Sequence, residues 1–296
     1  MTFKQLEAFY WAATCQSFAV AADRLNISVS SLSKRISEFE SVLNGELFDR
    51  STRHMNLTAT GEELLPHARA LLRDVDQFRM RASSSLSLSG RCRFGVGELT
   101  ALTWLSPMMS SISRKHPGLW VEPIVDVGEQ LERGLESGEL DFAIISGPST
   151  RAAISSHVIG YADFTWVASV QSVAQLTPSD LGNTTLITLP KGAGTVRLLD
   201  EWLTARHVTV GRQMVCQSIG GIASLIAGGI GIGFLPAAWA QALISKGLLR
   251  HLKEFPPLEP LPYAFHWRRD DSRPMMDNLR EIASDEINFC APPSLC

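Results

Sequence analysis

Apolar positions in the first part of the chain recur at intervals of three and four, the spacing that places side chains on one face of a helix. Leu6, Phe9, Tyr10 and Ala13 form one such stripe, and Phe18, Ala21, Ala22 and Leu25 form a second behind Ser17, a good N-cap. Leu32, Ile36, Phe39 and Leu43 form a third behind Ser28, with Asn26 suited to the turn between. Ala21 and Ala22 are small enough to let another helix approach closely. The pattern predicts a three-helix core containing a helix, a tight turn and a helix. Ser30, Ser33, Lys34 and Ser37 fall opposite the third stripe and give that helix a short-chained, cationic, hydrogen-bonding face.

A different period follows. Leu64, Ala68, Leu71, Val75, Phe78 and Ala82 are spaced alternately by four and three, a heptad seam widened by Leu65 and Leu72. A lone helix cannot bury such a seam, so residues 58 to 87 are expected to pair with the same helix of a second copy; packing onto the chain's own domain is the alternative. Pro66 should kink this helix or mark its start. The polar run SSSLSLSGR, residues 83 to 91, reads as a hinge.

Beyond it, strand-like and helix-like runs alternate. RFGVG, a helix over 105–116, LWVEPIV, a helix over 130–136 and LDFAIIS predict a mainly parallel βαβαβ unit. FTWVASV, TLITLP, a helix over 196–206, QMVCQS, a glycine-rich helix and GIGFLP predict a second. YAFHWRR and a helix near 274–289 return the chain to the first, so two α/β lobes joined by two crossovers form a hinged clamshell.

Composition narrows this picture. Of 296 residues 45% are hydrophobic, enough for a sizeable buried core and at least two domains. With 27 Lys and Arg against 30 Asp and Glu there is no general basic surface, and residues 1 to 90 are close to balanced. Nucleic-acid binding would therefore rest on local placement, with Lys34, Arg50 and Arg53 on one face, Glu38, Glu40 and Glu46 turned away, and helix N-termini donating to phosphates. The five cysteines, at 15, 92, 216, 290 and 296, lack CxxC spacing, which argues against a disulfide framework or a zinc site and for a reducing, cytoplasmic setting. Gln213 to Ser245 carries no charge, but its glycines and Pro236 divide it into strand, helix, strand and helix rather than a membrane span. The apolar stretch AFYWAATCQSFAVAA has helical periodicity and almost no basic flank, so it reads as core rather than an export signal.

From residues 21 to 36 alone, an ordinary helical hairpin with a solvated Ser/Lys face fits as well as a DNA reader. The next segment decides between them, because LFDRSTRHMNLTATGEELL sets Arg50 and Arg53 in a turn where a β-wing would flank a duplex. QLEAF, SFAVAADRLNIS, LSKRISEFE, Leu47 and Phe48, and the spaced Arg50, Arg53, Leu57, Thr58 and Gly61 together resemble the winged helix-turn-helix of LysR-type transcriptional regulators. SGELDFAIISGPS and LIAGGIGIGFLP extend that resemblance over nearly the whole chain. Two departures stand out. The family usually opens its recognition helix with Gln and often Pro, whereas this chain has Val29 and Ser30, so an amide reader of adenine is missing and Val29 is placed to meet a thymine methyl. The usual glycine after that helix is Asn44, which tolerates the left-handed C-cap conformation.

The expected fold is therefore α/β with an N-terminal all-α winged helix-turn-helix over 1–58, a dimerisation helix and hinge over 59–90, and a two-lobed, periplasmic-binding-protein-like effector domain over 91–296. Lobe I takes about 91–161 and 267–296, and lobe II about 162–266. The resemblance implies double-stranded DNA, a small organic effector, often a carboxylate, and a homodimer or homotetramer, with RNA polymerase as a further partner and no membrane. The DNA-facing candidates are Ser28, Val29, Ser30, Ser33, Lys34, Arg50 and Arg53, and the dimer seam is Leu64, Ala68, Leu71, Val75 and Phe78.

Ligands of open α/β domains sit beyond the carboxyl ends of the strands, near helix N-termini. This selects Thr100, Ala101, Gly147, Ser149, Gly194, Thr195, Ser218, Ile219 and Phe234 as effector candidates, with Thr100 facing Thr195 and Ser218 across the lobes. Glu98 would repel an anionic ligand there unless it caps the following helix. GVGEL, GAGTV and GIGIGF each lack the third glycine of a dinucleotide fingerprint, and the chain has no Walker A, HExxH or GxSxG motif. No catalytic residue, cofactor or metal is expected. The nearest rival is a clamshell binding protein without gene regulation, and an enzyme is more remote.

Overall fold

The computed structural model describes residues 1–49, 56–82, 88–172 and 175–290. It opens with α1 (Phe3–Thr14), α2 (Phe18–Arg24) and α3 (Val29–Leu43). Each begins on a hydroxyl cap. Thr2 and Gln5 close a reciprocal capping box on α1, Ser17 accepts from the Val20 N–H, and Ser28 accepts from the Ser31 N–H at 3.1 Å. Asn26 and Asn44 take left-handed backbone, with φ of 52° at both, ending α2's turn and α3 respectively. Strands β1 (Phe48–Asp49) and β2 (Asn56–Leu57) pair antiparallel as the stem of the wing. Glu40 is buried rather than turned to solvent, because its carboxylate accepts the Leu47 N–H at 2.8 Å and the Phe48 N–H at 3.3 Å where the chain leaves α3 for the wing.

Helix α4 (Ala59–Ala82) starts ahead of Pro66 and carries it internally, so the proline does not mark the helix start. The heptad seam divides along its length. Leu64, Leu65, Ala68 and Leu72 pack on the three-helix core, whereas Leu71 is 47% and Phe78 72% exposed, with Val75 intermediate.

Lobe I is assembled from β3 (Ser89–Val96), α5 (Glu98–Thr103), α6 (Leu105–Lys115), β4 (Gly118–Val125), α7 (Gly128–Ser137), β5 (Phe142–Ser146) and β6 (Ile154–Ala162). Lobe II follows with β7 (Phe164–Ser169), β8 (Thr185–Thr188), α8 (Gly194–Arg206), β9 (Arg212–Val215), α9 (Ile219–Ala227), β10 (Gly233–Pro236), α10 (Ala237–Ser245) and β11 (Leu249–His251). The chain returns through β12 (Leu261–Arg268) and α11 (Pro274–Glu286). Since β12 begins at Leu261, lobe I resumes earlier than the expected 267. The lobe I sheet runs β4-β3-β5-β12-β6; β3 is parallel to β4 and β5, but β12 is antiparallel to both β5 and β6, so the sheet is mixed. In lobe II β10-β7-β11 is antiparallel and β8 pairs β9 in parallel. The uncharged 213–245 stretch is cut into most of β9 and all of α9, β10 and α10, and no helix among the described residues is long and apolar enough to cross a membrane.

The helical domain is docked on lobe I by charge. Asp141, wholly buried between α7 and β5, accepts from Arg24 Nη1 and Arg273 Nη2, each at 2.6 Å, and from the Arg93 N–H at 2.8 Å. Arg24 and Arg273 both lie over the Trp11 ring, 4.5 and 5.1 Å from its centroid. Around this centre Arg93 Nη1 reaches Asp23 at 2.9 Å, Arg268 donates to the Thr14 carbonyl at 2.6 Å, and Arg69 of α4 pairs with Asp270 at 3.0 Å. Burial alone would raise the Asp141 pKa, but Arg24 and Arg273 outweigh it and hold the carboxyl below the ordinary carboxylate range.

Hydrogen bonds chiefly from Arg91 lower the Glu122 pKa to about 2, and burial pushes His116 and His266 below the ordinary imidazole value. All four groups bind protons less tightly folded than unfolded, so acid favours the unfolded chain. The expected outcome is a thermal midpoint that declines below about pH 6.5 as the histidines are drawn to protonate, and more steeply below about pH 4 as the carboxylates follow. Scanning calorimetry across that range checks it, and a midpoint indifferent to acid would contradict the assignment.

Candidate functional site

Two surfaces carry chemistry. The first is the outer face of α3. Ser28 caps the helix and its Oγ lies 2.9 Å from the hydroxyls of both Ser30 and Ser31, so these hydroxyls are ordered before any partner arrives. Val29, Ser30 and Lys34 are exposed, and Ser33 is half-buried beside them. The apolar side of the same helix, Leu32, Ile36 and Phe39, is locked in the core. Helix α3 therefore presents hydroxyls, one small apolar group and a cation on a fixed rod of the diameter a DNA major groove admits. Arg50 and Arg53 lie outside the described residues.

The second is the cleft between the lobes, where parallel strands end and helices begin. A cavity of about 530 Å³ is bounded by Gly97, Glu98 and Leu99 after β3, by Asp126, Val127 and Gly128 after β4, and by Ser146 at the end of β5. Lobe II contributes Lys191, Gly194 and Thr195 after β8, and Gln217 and Ile219 after β9. A neighbouring cavity of about 540 Å³ shares Gly128, Ser146, Lys191 and Gly194 and continues past Arg197 and Asp200. Helix α8 fits tightly against lobe I: a Cβ at Gly194 would lie 1.9 Å from Ser146 Oγ, so only glycine permits this approach.

Four helices, α5, α7, α8 and α9, start at this cavity, and their N-termini are not equivalent. Helix α9 is satisfied, because Ser218 caps it and Glu98 of the opposite lobe accepts the Ile219 N–H at 2.8 Å and the Ser218 hydroxyl at 2.9 Å. Helix α5 opens at Gly97, α7 at Val127 and α8 at Ala193, none with a side-chain cap. Thr195, in the first turn of α8, is buried and its hydroxyl has no protein partner. Lys191 stands at the same loop. An uncapped helix start and an ammonium group both favour negative charge, and the orphan hydroxyl beside them is free to donate.

The structure brings together only some of the cleft residues read from sequence. Gly194, Thr195 and Ile219 line the first cavity, and Ser218 touches it through Glu98. Thr100 does not: α5 starts at Glu98, and two residues on Thr100 is wholly buried and absent from the cavity wall. Ala101 packs against the same core. Gly147 and Ser149 line neither cavity, although Ser146, Pro148 and Thr150 around them line the second; Arg197 lies over Gly147, and Ser149 is bonded to Ser156 and Arg151. Phe234 packs on Phe164 and Trp166, one layer behind the wall. Glu98 caps the opposite lobe's α9 rather than the helix that follows it. Lys191, Gln217 and the 126–128 loop were missed; the loop's signal is its position after β4, the same strand-end rule that found the others.

Comparison with known proteins follows this geometry. The family model for the LysR substrate binding domain matches residues 86–288, and that for the bacterial regulatory helix-turn-helix protein, lysR family, matches residues 3–62. A probable hydrogen peroxide-inducible genes activator from Mycobacterium xenopi is 36% identical over 164 residues, 55% of this chain and 87% of that protein. Among solved structures, a full-length OxyR variant from Pseudomonas aeruginosa has a TM-score of 0.65 at 20% identity, covering 100% of this chain and 98% of that one. Full-length LysG from Corynebacterium glutamicum with bound effector Arg has a TM-score of 0.60 at 21% identity, covering 97% and 98%. At these identities the two structures speak to the fold alone. The winged helix-turn-helix, the long helix and the two-lobed domain occur here in one chain with both family signatures in sequence, and the protein belongs to the LysR family of DNA-binding transcriptional regulators.

Proposed function

We propose that this regulator binds its operator as a dimer or tetramer through Ser28, Val29, Ser30, Ser33 and Lys34 together with Arg50 and Arg53, and responds to a small organic molecule bearing a carboxylate or comparable anion. The observation that carries the effector class is the uncapped start of α8, with the orphan Thr195 hydroxyl buried against a cavity between the lobes. Glu98 already occupies the start of α9, and of the helix starts left open α8 is the one with a buried orphan hydroxyl and Lys191 beside it. An amino acid such as the one bound to LysG carries a carboxylate of the required kind. The Mycobacterium xenopi relative is named for hydrogen peroxide; among the described residues no cysteine lines either cavity, which favours a bound anion over thiol oxidation in the cleft.

Three outcomes are expected. With a duplex selected from a random pool, Lys34→Ala weakens specific binding by about 1–3 kcal/mol if Lys34 reads a base edge, while binding to unrelated DNA changes less. Gel shifts and footprints check this, and an unaltered footprint at equal affinity would take Lys34 off the reading face.

Thr195→Val keeps the side-chain shape but removes the hydroxyl. Calorimetry with a carboxylate found by thermal-shift screening should show a loss of about 1–3 kcal/mol, with operator affinity in the absence of ligand unchanged. Equal ligand affinity in the two proteins would move the seat elsewhere in the cleft.

The open half of the α4 seam is the dimer contact in this reading. Leu71→Asp combined with Phe78→Asp should yield monomers in sedimentation and abolish operator binding, since two half-sites need two modules. A wild-type protein that sediments only as a monomer would sink the assembly claim.

A further inference from the structure

Helix α7 touches both functional parts of the molecule. Its first residues, Gly128 and Gln130, line the cleft cavity. Ten residues later, about 15 Å along a helix, the Ser137 carbonyl accepts the Gln16 N–H at 3.0 Å, and the Gly138 carbonyl accepts Arg24 Nε. The chain then passes through Asp141, the buried partner of Arg24, and β5 runs back to the cleft, where Ser146 lines the same cavity. Leu131 and Leu135 of α7 form one apolar cluster with Leu140, and with Ala143 and Ile145 of β5, so the two elements are packed as a single hairpin-like body. Its two ends lie at the cleft and its tip lies against the DNA-binding domain.

The contact at the tip is specific. Gly138 has φ of 79°, and a Cβ there would lie 2.8 Å from Cys15 Sγ, so the turn is pressed directly onto the loop between α1 and α2. Asp23 and Arg24 close the same face from the end of α2. Meanwhile Val29, Ser30 and Lys34 remain exposed, so the docked state leaves the reading face of α3 open. Docking therefore fixes where α3 points without masking it.

We infer that the 128–146 unit is the lever that couples the effector cleft to the orientation of the DNA-binding domain, with the Arg24–Asp141–Arg273 cluster as its latch. The inference rests on the cleft being the effector site, as proposed above, but its test uses no effector and can fail while that reading stands. A ligand seated at the α8 start fills a cavity that Gly128, Gln130 and Ser146 also line, so it favours one position of this body, and the latch carries that position to α1 and α2. The warrant is a continuous packed element contacting both sites, which becomes coupling only when a change at one end is felt at the other.

Hydrogen exchange on the full chain, read by mass spectrometry, tests this with Arg24→Met. That variant leaves Asp141 compensated by Arg273 and the Arg93 N–H. The expected result is at least tenfold faster exchange at the amides of 15–16 and 138–141, accompanied by faster exchange at 128–131 at the cleft end, with β7 and β10 unaffected. Faster exchange confined to the tip would overturn the coupling, and no change anywhere would overturn the latch. Should Arg24→Met unfold α1 to α3, seen as lost protection throughout them, Gly138→Ala probes the contact from the other side by placing a methyl against Cys15. The same two-ended pattern is expected there, and a one-ended or absent response counts against the proposal in the same way.

Discussion

The carboxylate of Asp141 is the constraint on which the arrangement of this molecule depends. A buried, unpaired carboxylate is costly enough that it would be protonated or expelled, and even a paired one gains little unless every lone pair is used. Here the partners come from three different parts of the chain: Arg24 from the DNA-binding domain, Arg93 from the first strand of lobe I, and Arg273 just before the last helix. No two of those segments are neighbours in sequence. Satisfying one charge therefore requires the helical domain, the sheet and the C-terminal helix to be placed together. Trp11 adds a flat apolar surface under both guanidinium groups, which suits arginine better than lysine because the planar group can stack while it donates.

A second carboxylate plays the corresponding part between the lobes. Glu98 leaves lobe I and accepts two donors at the start of α9 in lobe II. It does for α9 what an anionic ligand would do there, so the four helix starts in the cleft are not alike. One is spent on holding the lobes, while the α8 start keeps a buried hydroxyl without a protein partner. The Glu98 charge is directed to the Ser218 hydroxyl and the Ile219 amide.

Much of this was legible in the sequence, and the residues that were not share a physical reason. Helices α1 to α3 follow from stripes such as Leu32, Ile36 and Phe39 behind a serine cap, because periodicity and capping are local. The alternation of strands and helices beyond residue 91 is equally local, and Gly194, Thr195 and Ile219 were reachable from the rule that ligands sit at strand ends. Thr100 was misplaced because its orientation depends on where α5 starts, and a shift of two positions in a helix turns a side chain most of the way round. Glu40 reads from sequence only as turned from the DNA face, and Glu98 as repelling an anion unless it caps its own helix, because their partners depend on a turn or are distant: the Leu47 amide in one case, the opposite lobe in the other. The antiparallel pairing of β12 and β6 escaped for the same reason, since it joins segments about a hundred residues apart in sequence.

The heptad seam shows how a single pattern can serve two partners. A period of three and four says that one face of α4 must be covered, but says nothing about what covers it. The structure spends Leu64 and Ala68 on the helical domain's own core and leaves Leu71 and Phe78 uncovered in the single chain. Two benzene-scale or aliphatic side chains in line on a long helix cannot be satisfied by the domain already used up by the first half. Because the same helix also carries Arg69 to Asp270 of lobe I, a second copy meeting the open half would press on a rod already tied to both domains. The helical domain, the long helix and lobe I are in that sense joined by one set of ionic contacts, with Asp141 the most deeply buried of them.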